Sequence, residues 1–113
     1  MGILVGEVLR ATVTLREGCP ASVASPDSPY VRAAARALKQ AFGTAPVHTR
    51  MGGSTGVVPI FEQALRAPVV PVGFSLPEDR IHSPDESLDL GNYDRGQRAL
   101  AAYWLELGGM TSG

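Results

Sequence analysis

Four consecutive residues in the middle of the chain, Gly52-Gly53-Ser54-Thr55, have the composition of an anion-binding turn at the start of a helix. Glycine permits positive φ and a close approach of the backbone, and the N–H groups at a helix N-terminus favour negative charge. The simpler interpretation is a tight turn in which Ser54 or Thr55 caps the helix. No lysine follows the glycines, which argues against a nucleotide-binding P-loop. Just before them, Arg50 offers a planar guanidinium to a carboxylate, although it is equally an ordinary strand-end arginine.

A second candidate is His82, which lies in a polar stretch after an apolar run. An imidazole in that position can bind a metal ion or act as a general base, although a lone histidine is more often a surface residue. Asp85 and Glu86 are near enough in sequence to reach the same region, or only to cap or solvate it. A zinc site needs three or four protein ligands, and the chain has no His-x-Asp motif and no Glu-Glu pair. Taken alone, it does not supply a two-metal centre.

The hydrophobic pattern predicts six elements to position these residues. Strict alternation over residues 9–16 predicts a strand with one buried face. Helical spacing predicts a helix from Pro29 that ends at Gly43, with Asp27 or Ser28 as its cap. Residues 46–50 are predicted to form a short strand, residues 55–66 a second helix with Pro59 near its first turn, and residues 69–74 a buried strand, although Pro71 warns of an edge or a bulge.

A long loop over residues 76–90 precedes the last predicted helix, residues 92–107, which Gly108-Gly109 should end. Its apolar stripe is expected to face inward and comprises Tyr93, Gly96, Leu100, Tyr103, Trp104 and Leu107. The alternation of strands and helices predicts an α/β fold, with a small mixed sheet of three or four strands packed by three helices.

Composition limits the classes of function. The chain has 113 residues, enough for one domain with a single core. Its net charge of −1 gives no reason to expect a nucleic-acid or anionic-membrane partner. Cys19 is the only cysteine, which excludes an intramolecular disulfide and fits a reducing compartment. No apolar run reaches the ~20 residues that a membrane span needs, and the first residues lack the features of a secretory signal. We therefore expect a cytoplasmic protein.

With these motifs in hand, the sequence resembles the acetylornithine deacetylase, succinyl-diaminopimelate desuccinylase and carnosinase family of dinuclear zinc metallopeptidases, in particular its carnosinase-like dipeptidase branch. The resemblance covers residues 9–107. Residues 27–43 look like the family's helix after the lid. Arg50-Met-Gly-Gly-Ser54 is similar to its Arg-Glu-Gly-Gly-Ser turn, and Ile81-His-Ser-Pro-Asp-Glu86 to its terminal metal-binding histidine loop.

The resemblance implies roles for five residues. His82 would be the last zinc ligand, Glu86 would support its loop, and Gly53 and Ser54, with Arg50, would contact the carboxylate end of a dipeptide or N-acyl amino acid. Two substitutions alter the substrate-facing turn: Met51 replaces an acid, and Thr55-Gly56 replaces the usual Ile-Pro.

Family members are much longer, and their His-x-Asp motif, bridging Asp, paired glutamates and most of the lid precede the region matched here. The resemblance therefore implies a C-terminal portion, from a truncated gene or an excised piece: residues 1–26 as the final lid strand and its connection, and residues 27–113 as part of the catalytic domain. We expect the 113-residue chain alone to be inactive and to bind zinc weakly or not at all.

Two interpretations remain open. In the first, the chain is a segment of a zinc-dependent dipeptidase or amidohydrolase that cleaves a peptide or N-acyl amide bond. In the second, it is a non-catalytic α/β binding or oligomerisation module with an anion site at residues 52–55. In either case the strand at residues 9–16 lacks its lid neighbours, and exposed edges and apolar faces are commonly covered by another copy, which predicts a homo-oligomer.

Overall fold

The computed structural model describes residues 2–5, 9–15, 18–52 and 55–110. Within them lie two strands, three α-helices and a short 3-10 turn. In chain order these are β1 (Gly2–Val5), β2 (Leu9–Thr12), α1 (Pro29–Phe42), α2 (Val57–Leu65), the turn Pro77–Asp79 and α3 (Leu90–Met110).

The two strands pair with each other. β1 runs antiparallel to β2, with Gly2 opposite Thr12 and Val5 opposite Leu9. The strand predicted over residues 9–16 is thus confirmed only as far as Thr12: residues 13–15 are not in a strand, and residue 16 lies outside the described residues. It has a neighbour after all, from the chain's own N-terminal segment. No described helix packs on this pair, and Ala11, Val13 and Leu15 of the predicted buried face are exposed, Leu15 to 87%.

Helix α1 confirms the first helix prediction. Pro29 occupies its first turn, where no helical N–H partner is lost, and Ser28 is the N-cap residue, although its side chain makes no capping hydrogen bond. Gly43 ends the helix in the left-handed conformation with φ of 77°, and its N–H donates to the carbonyl of Lys39 at 2.9 Å. This is the position where glycine is favoured, since a Cβ penalises that conformation.

Helices α1 and α3 form the packed core of the described residues. Their contact is lined by small side chains, so the two backbones approach closely; the buried ones are Ala33, Ala34 and Ala37 of α1 and Gly96 and Ala99 of α3. A core of alanines buries little apolar area. The radius of gyration is 19.1 Å, against roughly 13 Å for a compact domain of about this length. The chain is therefore elongated, with much apolar surface exposed.

Helix α3 is longer than predicted, and only part of its predicted inward stripe is buried. It begins at Leu90 and continues through Gly108-Gly109 to Met110. Its buried residues are Asn92, Gly96 and Ala99, whereas Trp104, predicted to point inward, is 72% exposed. The predicted inward stripe is therefore only partly buried: Gly96 is buried, Tyr103 and Leu107 are half-buried, and Tyr93 and Leu100 are exposed. Across the described residues, no helix combines the length and apolar character that a membrane crossing requires.

The predicted strands at residues 46–50 and 69–74 are not present as strands. A ladder needs a neighbouring strand to exchange N–H and C=O hydrogen bonds, and no described segment lies in position to supply one; Pro71 also lacks an N–H. The described residues thus combine helices and strands, but their sheet has two strands rather than the three or four expected.

Candidate functional site

The loop that carries His82 is tied together at its base by Asp79. Asp79 is 5% exposed. One of its carboxylate oxygens accepts the N–H of Leu76 at 2.8 Å, and its own N–H donates to the Leu76 carbonyl at 3.1 Å. Its carbonyl accepts the N–H of Ser87 at 2.9 Å. Asp79 therefore joins the residue before the loop to a residue near its end.

Between those anchors the backbone folds into two successive turns. The N–H of Ser83 donates to the carbonyl of Arg80 at 3.0 Å, and the N–H of Glu86 donates to the carbonyl of Ser83 at 3.2 Å. Arg80 and His82 both have positive φ, 51° and 67°, a conformation that costs a non-glycine residue roughly 1–2 kcal/mol. Surrounding contacts must hold these residues in place.

Side chains supply those contacts. The guanidinium of Arg80 forms an ion pair with Asp85, whose other carboxylate oxygen accepts the Ser83 hydroxyl at 2.7 Å. The backbone N–H of His82 donates to a carboxylate oxygen of Glu86 at 3.4 Å. The imidazole of His82 is exposed and has no hydrogen-bond partner among the described residues, and the supporting role of Glu86 stays a prediction.

Asn92, which lies just after the loop, fixes the end of the loop to Phe74, which lies just before it. This side chain is 5% exposed, and its amide donates to the carbonyl of Phe74. Its backbone N–H donates to a carboxylate oxygen of Asp89 at 2.6 Å, as at a helix N-cap. The ring of Phe74 stacks on Phe42 of α1, with centroids 5.8 Å apart and planes 9° apart. The His82 loop is thereby attached to the α1–α3 core.

Arg50, the other predicted site residue that the structure describes, is not brought to this loop. Gly53 and Ser54 lie outside the described residues. Arg50 is exposed, and within the described part of the chain no hydrogen bond or ion pair joins it to His82 or Glu86. The helix predicted to begin at residue 55 begins instead at Val57, with Gly56 as its N-cap residue and without a side-chain cap.

Sequence reasoning missed the contacts that hold the segment before α1 against α2. The hydroxyl of Ser22 lies 3.0 Å and 3.1 Å from the two carboxylate oxygens of Glu62, and the thiol of Cys19 donates to the carbonyl of Gly56 at 3.5 Å. Asp79 and Asn92 were missed as well. An acidic residue two positions after Pro77 is a weak signal that Asp79 caps a turn. No local sequence pattern indicates that Asn92 is buried.

The family resemblance implies zinc, and a zinc site needs three or four protein ligands close together. Over residues 2–5, 9–15, 18–52 and 55–110, no three His, Cys, Asp or Glu side chains lie close enough to hold one ion. Near His82, the carboxylates of Asp85 and Glu86 are already engaged by Arg80, Ser83 and the backbone. The described residues do not fit a metal centre by themselves, and no metal-dependent step follows from them alone.

Comparison with known proteins gives the context for this loop. The Cys-Gly metallodipeptidase of Saccharomyces cerevisiae is 35% identical over 81 residues, which are 72% of this chain and 17% of that protein. The Cys-Gly metallodipeptidase of Schizosaccharomyces pombe is 32% identical over 89 residues, 79% of this chain and 19% of its own. The Beta-Ala-His dipeptidase of Homo sapiens is 29% identical over 98 residues, 87% of this chain and 19% of its own.

The chain thus spans about a fifth of the length of the curated relatives it matches. No solved structure matches it. The sequence profile of peptidase family M20/M25/M40 matches residues 2–106. Nearly the whole chain fits that profile, so the resemblance seen in the motifs is confirmed: this chain belongs to peptidase family M20/M25/M40.

Proposed function

We propose that this chain is the C-terminal segment of a zinc-dependent dipeptidase that hydrolyses a peptide or N-acyl amide bond, and that His82 contributes one ligand to its metal site. The observation that carries the proposal is the family match over residues 2–106, which contains a structured loop with an exposed histidine. In this division residues 1–26 are the last lid strand with its connection, and residues 27–113 belong to the catalytic domain.

The geometry of the loop supports this role for His82. Its backbone is held in a left-handed conformation by Glu86 and by the turns on either side, while its imidazole has no partner among the described residues. A ring presented in this way is available to a ligand without breaking an existing hydrogen bond. A bound zinc would supply an activated water and polarise the scissile carbonyl.

The proposal assigns the other metal ligands, the catalytic base and the substrate contacts to further residues. The other ligands and the catalytic base belong to residues of a longer enzyme, because over the described residues no three candidate ligands lie close enough to hold one ion. Arg50, Gly53 and Ser54 bind the carboxylate end of a dipeptide or N-acyl amino acid. An arginine fork and adjacent backbone N–H groups suit a carboxylate, and Arg50 is exposed.

A segment exchange tests the proposal. Residues 2–106 of this chain replace the matching segment of the Saccharomyces cerevisiae Cys-Gly metallodipeptidase, and both Cys-Gly hydrolysis and zinc content are measured. We expect a folded chimera that retains hydrolysis. His82→Ala should lower hydrolysis by about a hundredfold or more and reduce bound zinc, because even residues behind a metal ligand cost 10–100-fold when removed.

The matched control is His48→Ala, which removes the other histidine of the chain from an exposed segment; it should leave hydrolysis and zinc content unchanged. Equal hydrolysis and equal zinc content in the chimera with and without His82 would refute the proposal. So would a folded, inactive chimera whose zinc content does not depend on His82. If that chimera were instead stabilised by inorganic phosphate, the anion-binding module would be the better interpretation.

A further inference from the structure

Among the described residues, the buried polar side chains are Asp79 and Asn92, each 5% exposed. Burying a polar group costs free energy unless it is hydrogen-bonded, and a charged group costs more. Both side chains are satisfied, and both are satisfied by backbone groups of the same segment. Asp79 accepts from the N–H of Leu76, and Asn92 donates to the carbonyl of Phe74.

These bonds join the two ends of the His82 loop. Phe74 and Leu76 lie just before the loop, whereas Asn92 lies just after it, and the N–H of Ser87 donates to the carbonyl of Asp79 at 2.9 Å. The two ends of the loop therefore lie close together, and His82 lies between them in the chain. Among the described residues no hydrogen bond joins either side chain to the imidazole, so any effect on His82 passes through the loop backbone.

We propose that Asp79 and Asn92 are positioning residues that hold the loop so that His82 presents its imidazole in one orientation. The inference rests on the proposed function for its purpose, and it adds two residues to which no role has been given. The Asp79 carboxylate and the Asn92 amide nitrogen are each bonded to a backbone group, and the Asn92 amide oxygen accepts from the guanidinium of Arg95 at 3.4 Å.

A purely structural role makes a different prediction. If the two side chains only stabilised the fold, their removal would speed amide exchange throughout the molecule, in proportion to the free energy of unfolding that is lost. If they position the loop, removal would change the His82 loop more than the α1–α3 core. The chain contains two histidines, His48 and His82, so the imidazole of His48 serves as an internal reference outside the loop.

The experiment uses the 113-residue chain without metal. Imidazole ¹H–¹³C signals and backbone amide exchange are measured by NMR at one pH for the unmodified chain and for Asp79→Ala, Asp79→Asn and Asn92→Ala. Signals are assigned with His48→Gln and His82→Gln. For Asp79→Ala we expect the amides of Leu76 and Ser87 to exchange roughly tenfold to hundredfold faster, the range that corresponds to the loss of a buried hydrogen bond.

The His82 signals should shift or broaden in Asp79→Ala and Asn92→Ala, whereas those of His48 stay in place. Asp79→Asn keeps an oxygen that can accept from Leu76 and should restore most of the protection, so the inference remains testable if the alanine variant folds poorly. Asn92→Ala favours the helix itself, since alanine has the higher helix propensity, so a loosened loop in that variant would not reflect a weakened α3.

Two controls separate loop positioning from general destabilisation. Asp94→Ala removes an exposed aspartate of α3 that pairs with Arg98 at 2.8 Å and should change neither set of signals. Ala99→Gly loosens the α1–α3 core and should lower the melting temperature without a selective effect on His82. The inference is overturned if Asp79→Ala leaves Ser87 exchange and the His82 signals unchanged, or if Ala99→Gly reproduces its pattern. Because no metal or activity is measured, this failure differs from failure of the segment exchange.

Discussion

The ring of Phe74 lies directly against Gly96 of helix α3. A Cβ built on Gly96 would lie 3.0 Å from Cδ2 of Phe74, with two further ring atoms at 3.2 Å and 3.3 Å. Phe74 cannot easily retreat, because its ring also stacks on Phe42 and its carbonyl accepts from Asn92. Phe42 is itself covered by the guanidinium of Arg95, 5.7 Å from the ring centroid. The start of the His82 loop is thus packed onto both long helices.

Gly96→Ala should therefore destabilise the chain although alanine is the better helix former. The substitution gains about 1 kcal/mol of helix propensity and loses roughly 1–3 kcal/mol to overpacking against a ring that is held in place. We expect a net loss of about 1 kcal/mol, measured by urea unfolding. The control is Gly109→Ala in the same helix, where an added Cβ meets nothing within 4 Å and stability should not fall. A stabilising Gly96→Ala would mean that Phe74 moves freely.

Local signals were sufficient to predict α1. Its start at Pro29 and its end at Gly43 follow from the φ preferences of those two residues, and no distant contact is needed to specify them. The inward face of α3 was predicted only in part, for the opposite reason. Gly96 of the predicted stripe is buried, but it lies against the ring of Phe74, a contact between positions far apart in the chain, whereas the predicted Trp104 is 72% exposed.

The strand at residues 69–74 failed for a related reason. Its apolar run is typical of a buried strand. A strand forms only when a second segment pairs with it, however, and no described segment lies beside residues 69–74. The site was likewise predicted only where its residues are close together in sequence. A motif can point to His82 because its neighbours are close in sequence, whereas the contact of Asn92 with Phe74 spans 18 positions and leaves no local pattern.

The ion pair between Arg36 of α1 and Glu106 of α3 should make stability depend on acid pH. Nε and Nη2 of Arg36 donate to one carboxylate oxygen at 2.9 Å and 2.6 Å, and these bonds hold the pKa of Glu106 below its ordinary value of 4.5. A lowered folded-state pKa gives stability that is present above pH 4.5 and is lost as the pH falls through the lowered value. Urea unfolding from pH 6 to pH 3 should show this loss.

Glu106→Gln removes the titrating group and should flatten that acid limb. In the Glu106→Gln background, Arg36→Gln should have little further effect, since the two residues act as a pair. Because the pair is exposed, the effect should be small and should shrink at high salt. An acid limb identical in the unmodified chain and in Glu106→Gln would contradict the prediction.

Tyr103 should add a dependence at alkaline pH. Burial, and to a lesser degree the charge of nearby Tyr30, raises the pKa of its phenol above 10.0. A raised folded-state pKa contributes stability that is fully present below pH 10 and is lost as the pH rises through the raised value. Tyr103→Phe has no phenol to ionise and should lose less stability above pH 10 than the unmodified chain. Tyr93→Phe, on the exposed side of α3, should retain the steeper loss.

Zinc should not bind stoichiometrically and tightly to the 113-residue chain. A stable site needs three or four protein ligands, and over the described residues no three candidate groups converge. Isothermal titration calorimetry at pH 7 should therefore give weak heats that do not saturate at one ion per chain. Stoichiometric uptake abolished by His82→Ala would contradict this and would mean that residues outside the described part complete a site.

The 113-residue chain should self-associate through the apolar side of α2. Ile60 and Leu65 are 62% and 67% exposed, and Phe61 is 46% exposed, while no other described helix or strand packs on α2. Contiguous apolar surface of this kind favours association. Light scattering at tens of micromolar should give a mass of at least two chains. Ile60→Lys should shift the mass toward one chain, whereas Gln63→Lys, an exposed position in the same helix, should not; a single-chain mass for the unmodified protein would refute the prediction.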